Sequence, residues 1–173
     1  DDVKMAIQNS VASARIISSK STKLSKDDAL LRIAFDGDSV IFSDESEKIY
    51  AKEGLKAFLE NERKQKSMLK AGPFKSFLVE LNKLQSELSH VDCPIRTALV
   101  TARSAPSHKR VIKTLRNWGV RIDESLFLGG MKKSEFLKSF KADIFFDDQQ
   151  NNIEDASAKV TSAHVPFGIK NRK

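Results

Sequence analysis

Apolar positions along this chain change their spacing from segment to segment, and the spacing predicts alternating helices and strands. Residues 1–19 carry apolar side chains at helical spacing and predict an N-terminal helix, and the polar stretch 20–28 predicts a linker. Apolar runs of the buried-strand type lie at 31–36, 96–101, 126–128, 143–147 and 162–165. Helical patterns lie at 44–70, 74–88, 106–118, 134–140 and 151–159. This alternation indicates an α/β fold with a mostly parallel sheet and helices on both faces.

The stretch 42–94, between the first strand and the next, is longer than an ordinary connection. It is mostly helix-prone, so we interpret it as a small helical cap inserted over the strand ends. The alternative is a pair of crossover helices that only pack on the sheet. The predicted organisation is an N-terminal helix and linker at 1–30, then a core at 31–173 that contains the cap insertion 42–94.

Two carboxylates follow the first buried strand. Asp36 and Asp38 are separated by Gly37, so in extended geometry they lie on the same side of the chain. Neighbouring carboxylates repel unless a cation or a shared proton offsets their charge. A hard cation such as Mg²⁺ would do so, and a carboxylate can also act as a nucleophile or transfer a proton. The structural alternative is a strand-end turn that caps the next segment.

Three further sites at or near strand ends have polar side chains that could take part in a reaction. Asp147 and Asp148 follow an apolar strand, where Asp148 could equally be a helix N-cap. Thr101 ends another strand, and its hydroxyl could bond a phosphoryl oxygen or cap the chain. Lys132 and Lys133 lie shortly after two glycines, at the predicted start of a helix. A lysine is unfavourable there with the helix dipole, so its presence suggests an anionic partner; the alternative is an ordinary surface lysine. The carboxyl ends of parallel strands are where α/β folds place their chemistry.

Taken together, the acid pair, threonine, lysine and second acid pair, in this order, resemble the four motifs of the haloacid-dehalogenase-like phosphohydrolases. Longer stretches are similar to the cytosolic 5′-nucleotidases of type I. These stretches are 31–38, 42–47, 93–97, 99–104, 114–116, 118–119, 144–149 and 163–166. The resemblance covers nearly the whole chain from Leu31 onward and implies a Rossmann-like, three-layer haloacid-dehalogenase fold.

This resemblance implies Mg²⁺-dependent hydrolysis of nucleoside 5′-monophosphates, with AMP as the characteristic substrate, through an aspartyl-phosphate. It implies that Asp36 is the nucleophile and a metal ligand. Asp38 would be the general acid and base, with its backbone carbonyl on the metal. Asp147 and Asp148 would complete the metal site.

The resemblance also implies which residues hold the phosphoryl oxygens. Thr101 and Lys133 match the family positions. The stretch 129–134 departs from the usual family sequence around this lysine, which leaves the choice between Lys132 and Lys133 open.

Four residues are candidates for contact with the rest of the substrate. Phe42, Ser43 and Asp44 lie just beyond the acid pair, where a cap would meet a nucleoside, or else they serve packing. Arg103 follows Thr101 and would meet a phosphate or the ribose, or else form a surface ion pair. Two alternatives to a nucleotidase stay open: a phosphatase of the same fold for another small phosphate ester, and a non-catalytic nucleotide-binding domain.

The net charge of +7 would help to attract a phosphate-bearing substrate, or it reflects a solvated lysine-rich surface. The basic residues are scattered and lack interleaved aromatics, so we expect no stable nucleic-acid complex. No apolar run approaches the length of a membrane span, and Cys93 is the only cysteine, which favours a cytoplasmic location. Family members carry a substantial upstream segment, so such a segment or a homo-oligomer could complete the fold.

Overall fold

The computed structural model describes residues 1–17, 30–88 and 93–172, so the predicted linker at 20–28 lies outside the described residues. The strands are Arg15–Ile17 (β1), Leu31–Phe35 (β2), Ile95–Thr101 (β3), Glu124–Phe127 (β4), Ile144–Asp147 (β5) and Ser162–His164 (β6). The α-helices are Asp2–Gln8 (α1), Glu45–Lys64 (α2), Lys75–Glu87 (α3), His108–Asn117 (α4), Lys133–Phe140 (α5) and Gln150–Ser157 (α6). A 3₁₀ helix, Ile169–Asn171, follows β6. No helix among these is long and apolar enough to cross a membrane.

The strands form one sheet in the order β1-β6-β5-β2-β3-β4. Every neighbouring pair is parallel except β1 and β6 at one edge. From β2 the chain moves outward to β3 and β4, then returns to the other side of β2 for β5 and β6. The carboxyl end of β2 is therefore a topological switch point, where open α/β sheets place their ligands.

Side chains of β2 alternate between two apolar cores, because successive residues of a strand face opposite sides of the sheet. Ile33 and Phe35 belong to one core and Ala34 to the other. The first core also takes Ile7 from α1, Leu78 and Leu81 from α3, and Val111 and Leu115 from α4. The second takes Leu137 from α5, and Ile153 and Ala156 from α6. Helices thus cover both faces, and the predicted fold class is confirmed.

The N-terminal helix is shorter than its apolar spacing predicts. It ends at Gln8, and Ser10 has a positive φ of 62° that no α-helix accommodates. Arg15–Ile17 then forms β1 and pairs antiparallel with β6. The prediction of helix is wrong for Arg15–Ile17, because pairing at the sheet edge satisfies their backbone groups and outweighs a helical spacing. Residues 18 and 19 lie outside the described part of the chain.

The long helix α2 reverses direction at Gly54. Ser46 near its start donates a hydrogen bond of 2.9 Å to Glu62 near its end, although 16 residues separate them. A continuous helix would place them about 24 Å apart at 1.5 Å per residue. Gly54 has φ 80° and ψ −177°, a conformation open to glycine alone. We call Glu45–Lys64 the α2 hairpin, with arms 45–53 and 55–64.

The stretch that carries the α2 hairpin is closed at its base. The amide of Ser43 donates to the Lys70 carbonyl at 2.9 Å, and the amide of Gly72 donates to the Ile41 carbonyl at 2.8 Å. A side chain at position 72 would lie 2.3 Å from the Phe42 carbonyl oxygen, so this approach needs glycine. Beyond this closure α3 packs into the first core, whereas the hairpin contacts the strand ends. A cap extending over all of 42–94 stays a prediction.

Candidate active site

Three buried carboxylates meet at the switch point. Asp36 follows β2, Asp147 is the last residue of β5, and Asp148 comes next. Oxygens of the three lie within 4.8 Å of one another. The parallel register pairs Phe35 with Phe146, so the residues that follow them emerge side by side. We call these three residues the carboxylate triad.

Lys133, the first residue of α5, contacts two members of the triad. Its Nζ lies 2.8 Å from Asp36 Oδ1 and 2.7 Å from Asp147 Oδ2. Burial disfavours the ammonium, but the carboxylates of Asp147 and Asp36 outweigh it and raise the pKa of Lys133 above its usual value. The side chain of Lys132 is 82% exposed and pairs with Asp155 instead. The structure therefore brings Lys133, and not Lys132, to the triad.

Asp36 and Asp147 are held by further hydrogen bonds. The Gly37 amide donates to Asp36 Oδ1 at 2.7 Å. Asp147 accepts bonds from the Gln149 amide at 2.8 Å and from the Asn152 side chain at 3.1 and 3.0 Å. Burial, opposed by Lys133, raises the pKa of Asp36 to about 7. Donors around these two carboxylates fix their orientation.

Asp148 is different, because both of its carboxylate oxygens are buried and have no hydrogen-bond partner in the described structure. Burial first, and then the charges of Asp36 and Asp147, raise the pKa of Asp148 to about 10. A buried carboxylate without a donor is costly unless a cation or a proton neutralises it. Three oxygen donors at one point suit a hard divalent cation, so the triad fits a metal site.

A C-terminal segment, 166–172, packs against the triad and positions the backbone of Asp148. Asn171 Nδ2 donates to the Asp148 carbonyl at 2.9 Å, and His164 Nε2 lies 3.0 Å from the same oxygen. Gly168 has φ +82°, and a side chain there would lie 2.3 Å from Ser39 Oγ. The contact of His164 is with the backbone of Asp148, and nothing in the sequence points to a role for Gly168 or Asn171 at the site.

Thr101 lies beside the loop that follows Asp36. It is 1% exposed at the end of β3, and its Oγ1 accepts a bond from the Arg103 amide at 3.3 Å. A Cβ on Gly37 would lie 3.2 Å from that oxygen, so glycine lets the Thr101 hydroxyl approach the backbone next to Asp36. The strand order thus brings Asp36, Thr101, Lys133, Asp147 and Asp148 to one edge of the sheet.

Asp38 and Arg103 form a two-point ion pair. Arg103 Nε lies 2.8 Å from Asp38 Oδ2, and Nη2 lies 2.7 Å from Oδ1. Arg103 Nη1 donates to Glu62 of the α2 hairpin at 2.8 Å. Arg103 therefore forms the ion pair that was the alternative to substrate contact, but with its side chain 2% exposed the pair is buried and does not lie on the surface. Each guanidinium nitrogen faces a carboxylate.

The three candidate residues after the acid pair occupy different environments. Phe42 has no exposed surface and packs on Trp118, with ring centroids 5.5 Å apart, so the structure places it in the core and not at the triad. Ser43 is half-buried before α2, and its Oγ is 3.4 Å from the Glu45 amide. Asp44 pairs with Lys48 at 2.8 Å and with Arg172 at 3.1 Å.

Several charged residues at the site carried no sequence signal. Glu47 accepts from Ser39 Oγ at 2.8 Å and from Gln149 Nε2 at 3.4 Å, and burial raises its pKa. Glu62 and Arg110 are buried together, 2.9 Å apart. In a helix rich in charged residues, no local pattern distinguishes the buried charges from the exposed ones.

Fold and site define an α/β protein with a buried carboxylate–lysine centre at the switch point of its sheet. A sequence profile of the 5′-nucleotidase family matches residues 1–172. Human cytosolic 5′-nucleotidase 1B is 46% identical over an alignment of 176 positions that covers 98% of this chain. The chain therefore belongs to the 5′-nucleotidase family. It spans 29% of the length of that human relative.

A solved structure, the HAD domain of the effector protein Lem4 from Legionella pneumophila, has a TM-score of 0.42 to this chain at 13% identity. The likeness covers 73% of this chain and 77% of that one. The fold assignment rests on the strand order and the two cores described above.

Proposed function

We propose that this chain carries the catalytic centre of a metal-dependent 5′-nucleotidase, which hydrolyses nucleoside 5′-monophosphates such as AMP to nucleoside and phosphate. The observation that carries the proposal is the buried carboxylate triad with Lys133 bound to two of its members. Family membership supports this reaction class, and the name of the human relative supports a nucleotide substrate and a cytosolic location.

In the first step a carboxylate oxygen of Asp36 attacks phosphorus, and the bond between phosphorus and the 5′ oxygen breaks. Asp38 gives its proton to that oxygen, so the nucleoside leaves as a neutral alcohol. The Lys133 ammonium and the Thr101 hydroxyl donate to the phosphoryl oxygens. Lys133 also favours the ionised, nucleophilic form of Asp36, against the burial that raises the pKa of that group.

In the second step water attacks the aspartyl-phosphate. Asp38, now a carboxylate, takes a proton from the water, the acyl–phosphate bond breaks, and inorganic phosphate leaves. Asp36 is regenerated as a carboxylate and Asp38 as an acid. The side chain of Asp38 is 21% exposed, so its open edge can meet either the leaving oxygen or the water.

Asp36, Asp147 and Asp148 would hold Mg²⁺, with the backbone carbonyl of Asp38 as a further donor. When bound, the ion would offset the negative charge that these carboxylates and the phosphoryl group bring together. The unpartnered oxygens of Asp148 support this assignment. Ser43 and Asp44 lie at the start of the α2 hairpin, and we propose this rim for contacts to the nucleoside.

Phosphate release from a panel of nucleoside 5′-monophosphates and small phosphate esters, with Mg²⁺ or with EDTA, tests the proposal. We expect Mg²⁺-dependent turnover that Asp36→Asn abolishes while the far-ultraviolet circular dichroism stays unchanged, because an amide is not a competent nucleophile. Asp2→Asn, exposed in the first turn of α1, is the matched control and should keep full activity. A normal rate from Asp36→Asn, or release from non-nucleotide esters alone, would contradict the proposal.

A further inference from the structure

The proposed mechanism assigns no role to Arg103, although its guanidinium is bound to Asp38. Its guanidinium lies behind Asp38, with a side-chain exposure of 2% against 21% for Asp38. It also lies over the ring of Phe58, 5.4 Å from the ring centroid. Asp38 is therefore open to solvent on one side and clamped by Arg103 on the other.

A second carboxylate holds Arg103 in place. Glu62 has no exposed side-chain surface, and one of its oxygens accepts from Arg103 at 2.8 Å. The other oxygen accepts from Arg110 and from Ser46, both at 2.9 Å. Arg110 in turn donates to Glu45 at 2.8 Å. Five charged residues thus form a connected, mostly buried network that runs from the α2 hairpin to Asp38.

We propose that Arg103 is the positioning residue of Asp38: it acts through that carboxylate and not on the substrate, and Glu62 holds it in place. This rests on the proposed function, in which Asp38 transfers the proton. Two parallel hydrogen bonds fix both the position and the plane of the Asp38 carboxylate. Without them, the Asp38 side chain could rotate away from the position where it reaches the leaving oxygen.

The geometry separates this role from substrate binding. All three guanidinium nitrogens already donate to carboxylates, and the Phe58 ring covers the group. A lysine at position 103 would keep the charge but cannot make the two-point contact. Proton transfer is sensitive to such a change, because small displacements of a reacting group lower the rate strongly.

The test compares two aryl phosphates that lack a nucleoside, using kcat/KM in the full-length protein with Mg²⁺. Phenyl phosphate has a poor leaving group that needs a proton, whereas 2,4-dinitrophenyl phosphate has a good one that does not. We expect Asp38→Asn to lower kcat/KM for phenyl phosphate about 100-fold or more, the size of a general-acid contribution. Arg103→Lys should lower it at least about 10-fold, and both variants should change 2,4-dinitrophenyl phosphate less than about 3-fold.

Arg110→Lys is the matched control, because Arg110 contacts Glu62 and Glu45 but does not contact Asp38. It should change both esters by the same small factor. The double variant Asp38→Asn/Arg103→Lys should be no slower on phenyl phosphate than Asp38→Asn alone, since Arg103 acts through Asp38. If Arg103→Lys does not fold, Glu62→Gln provides a second variant. It should also lower kcat/KM for phenyl phosphate more than for 2,4-dinitrophenyl phosphate, but by a smaller factor than Arg103→Lys.

Three results would overturn the proposal. Equal losses on both aryl esters from Arg103→Lys would give the arginine a role in folding alone. If the losses of kcat/KM from the two single variants multiplied in the double variant, Arg103 would act independently of Asp38. A higher KM for AMP with an unchanged ratio between the aryl esters would place the guanidinium on the nucleotide. Failure of the wild type to hydrolyse any ester would instead reject the proposed function.

Discussion

Replacing Asp148 by asparagine should stabilise the protein when metal is removed. The carboxylate is buried, has no donor in the described structure, and has a pKa raised to about 10 by burial and by Asp36 and Asp147. At pH 7 the group is thus protonated in the folded protein, whereas it is ionised in the unfolded chain. Folding must take up a proton at this position, and asparagine has the same shape without that requirement.

The magnitude follows from the distance between pH 7 and the unfolded pKa. The ordinary value is 3.8, so about three pH units contribute at about 1.4 kcal/mol each, which gives about 4 kcal/mol as the upper limit. The sign is that of a raised acid: the penalty is absent below about pH 4 and grows as the pH rises toward 10. We expect Asp148→Asn to raise the free energy of unfolding by roughly 2–4 kcal/mol at pH 7 and by almost nothing at pH 4.

Urea unfolding at pH 4, 5.5, 7 and 8.5, with EDTA and then with Mg²⁺, measures this. In EDTA the difference between variant and wild type should increase with pH. Mg²⁺ at 100 times its Kd should add about 2.7 kcal/mol to the wild type and much less to the variant, because the variant lacks one ligand. A pH-independent difference, or an equal gain from Mg²⁺ in both proteins, would refute the reasoning.

Two further predictions concern single positions. Lys133→Ala should lower kcat/KM for AMP at least about 100-fold, whereas Lys132→Ala, its exposed neighbour, should stay within about 2-fold; similar losses from both would contradict the assignment of Lys133. Gly54→Ala should lower the free energy of unfolding by about 1–3 kcal/mol in urea, because φ 80° with ψ −177° is open to glycine alone. Lys52→Ala, exposed in the same helix, should stay within about 0.5 kcal/mol, and an equally mild Gly54→Ala would argue against the reversal of α2.

The sequence alone was enough to predict that the site residues at strand ends lie together. Asp36, Thr101 and Asp147 could be placed together because the carboxyl ends of parallel strands share one edge of the sheet. The choice between Lys132 and Lys133 could not be made in this way. One residue of shift at a helix start turns a side chain by about 100°, so the choice depends on where α5 begins against the sheet.

Other features depend on contacts between distant parts of the chain. An apolar residue beside a site, such as Phe42, suits a cap or a core equally well until Trp118 is seen against it. Helical spacing at 1–19 could not foresee that β6 would pair with Arg15–Ile17. Glu62 reaches Arg103 only because the chain reverses direction at Gly54. The residues around Gly54 in the sequence do not predict this reversal.

Two groups of buried charged residues at the site differ in how their charges are paired. In the network of Asp38, Arg103, Glu62, Arg110 and Glu45, both arginines join carboxylates and every carboxylate faces a guanidinium. The carboxylate triad has three acids, and Lys133 contacts two of them, which leaves Asp148 without a donor in the described structure. The need for an added cation is therefore local to the triad. It follows that metal removal should affect the triad through Asp148, while the side-chain ion pairs among Asp38, Arg103 and Glu62 stay intact.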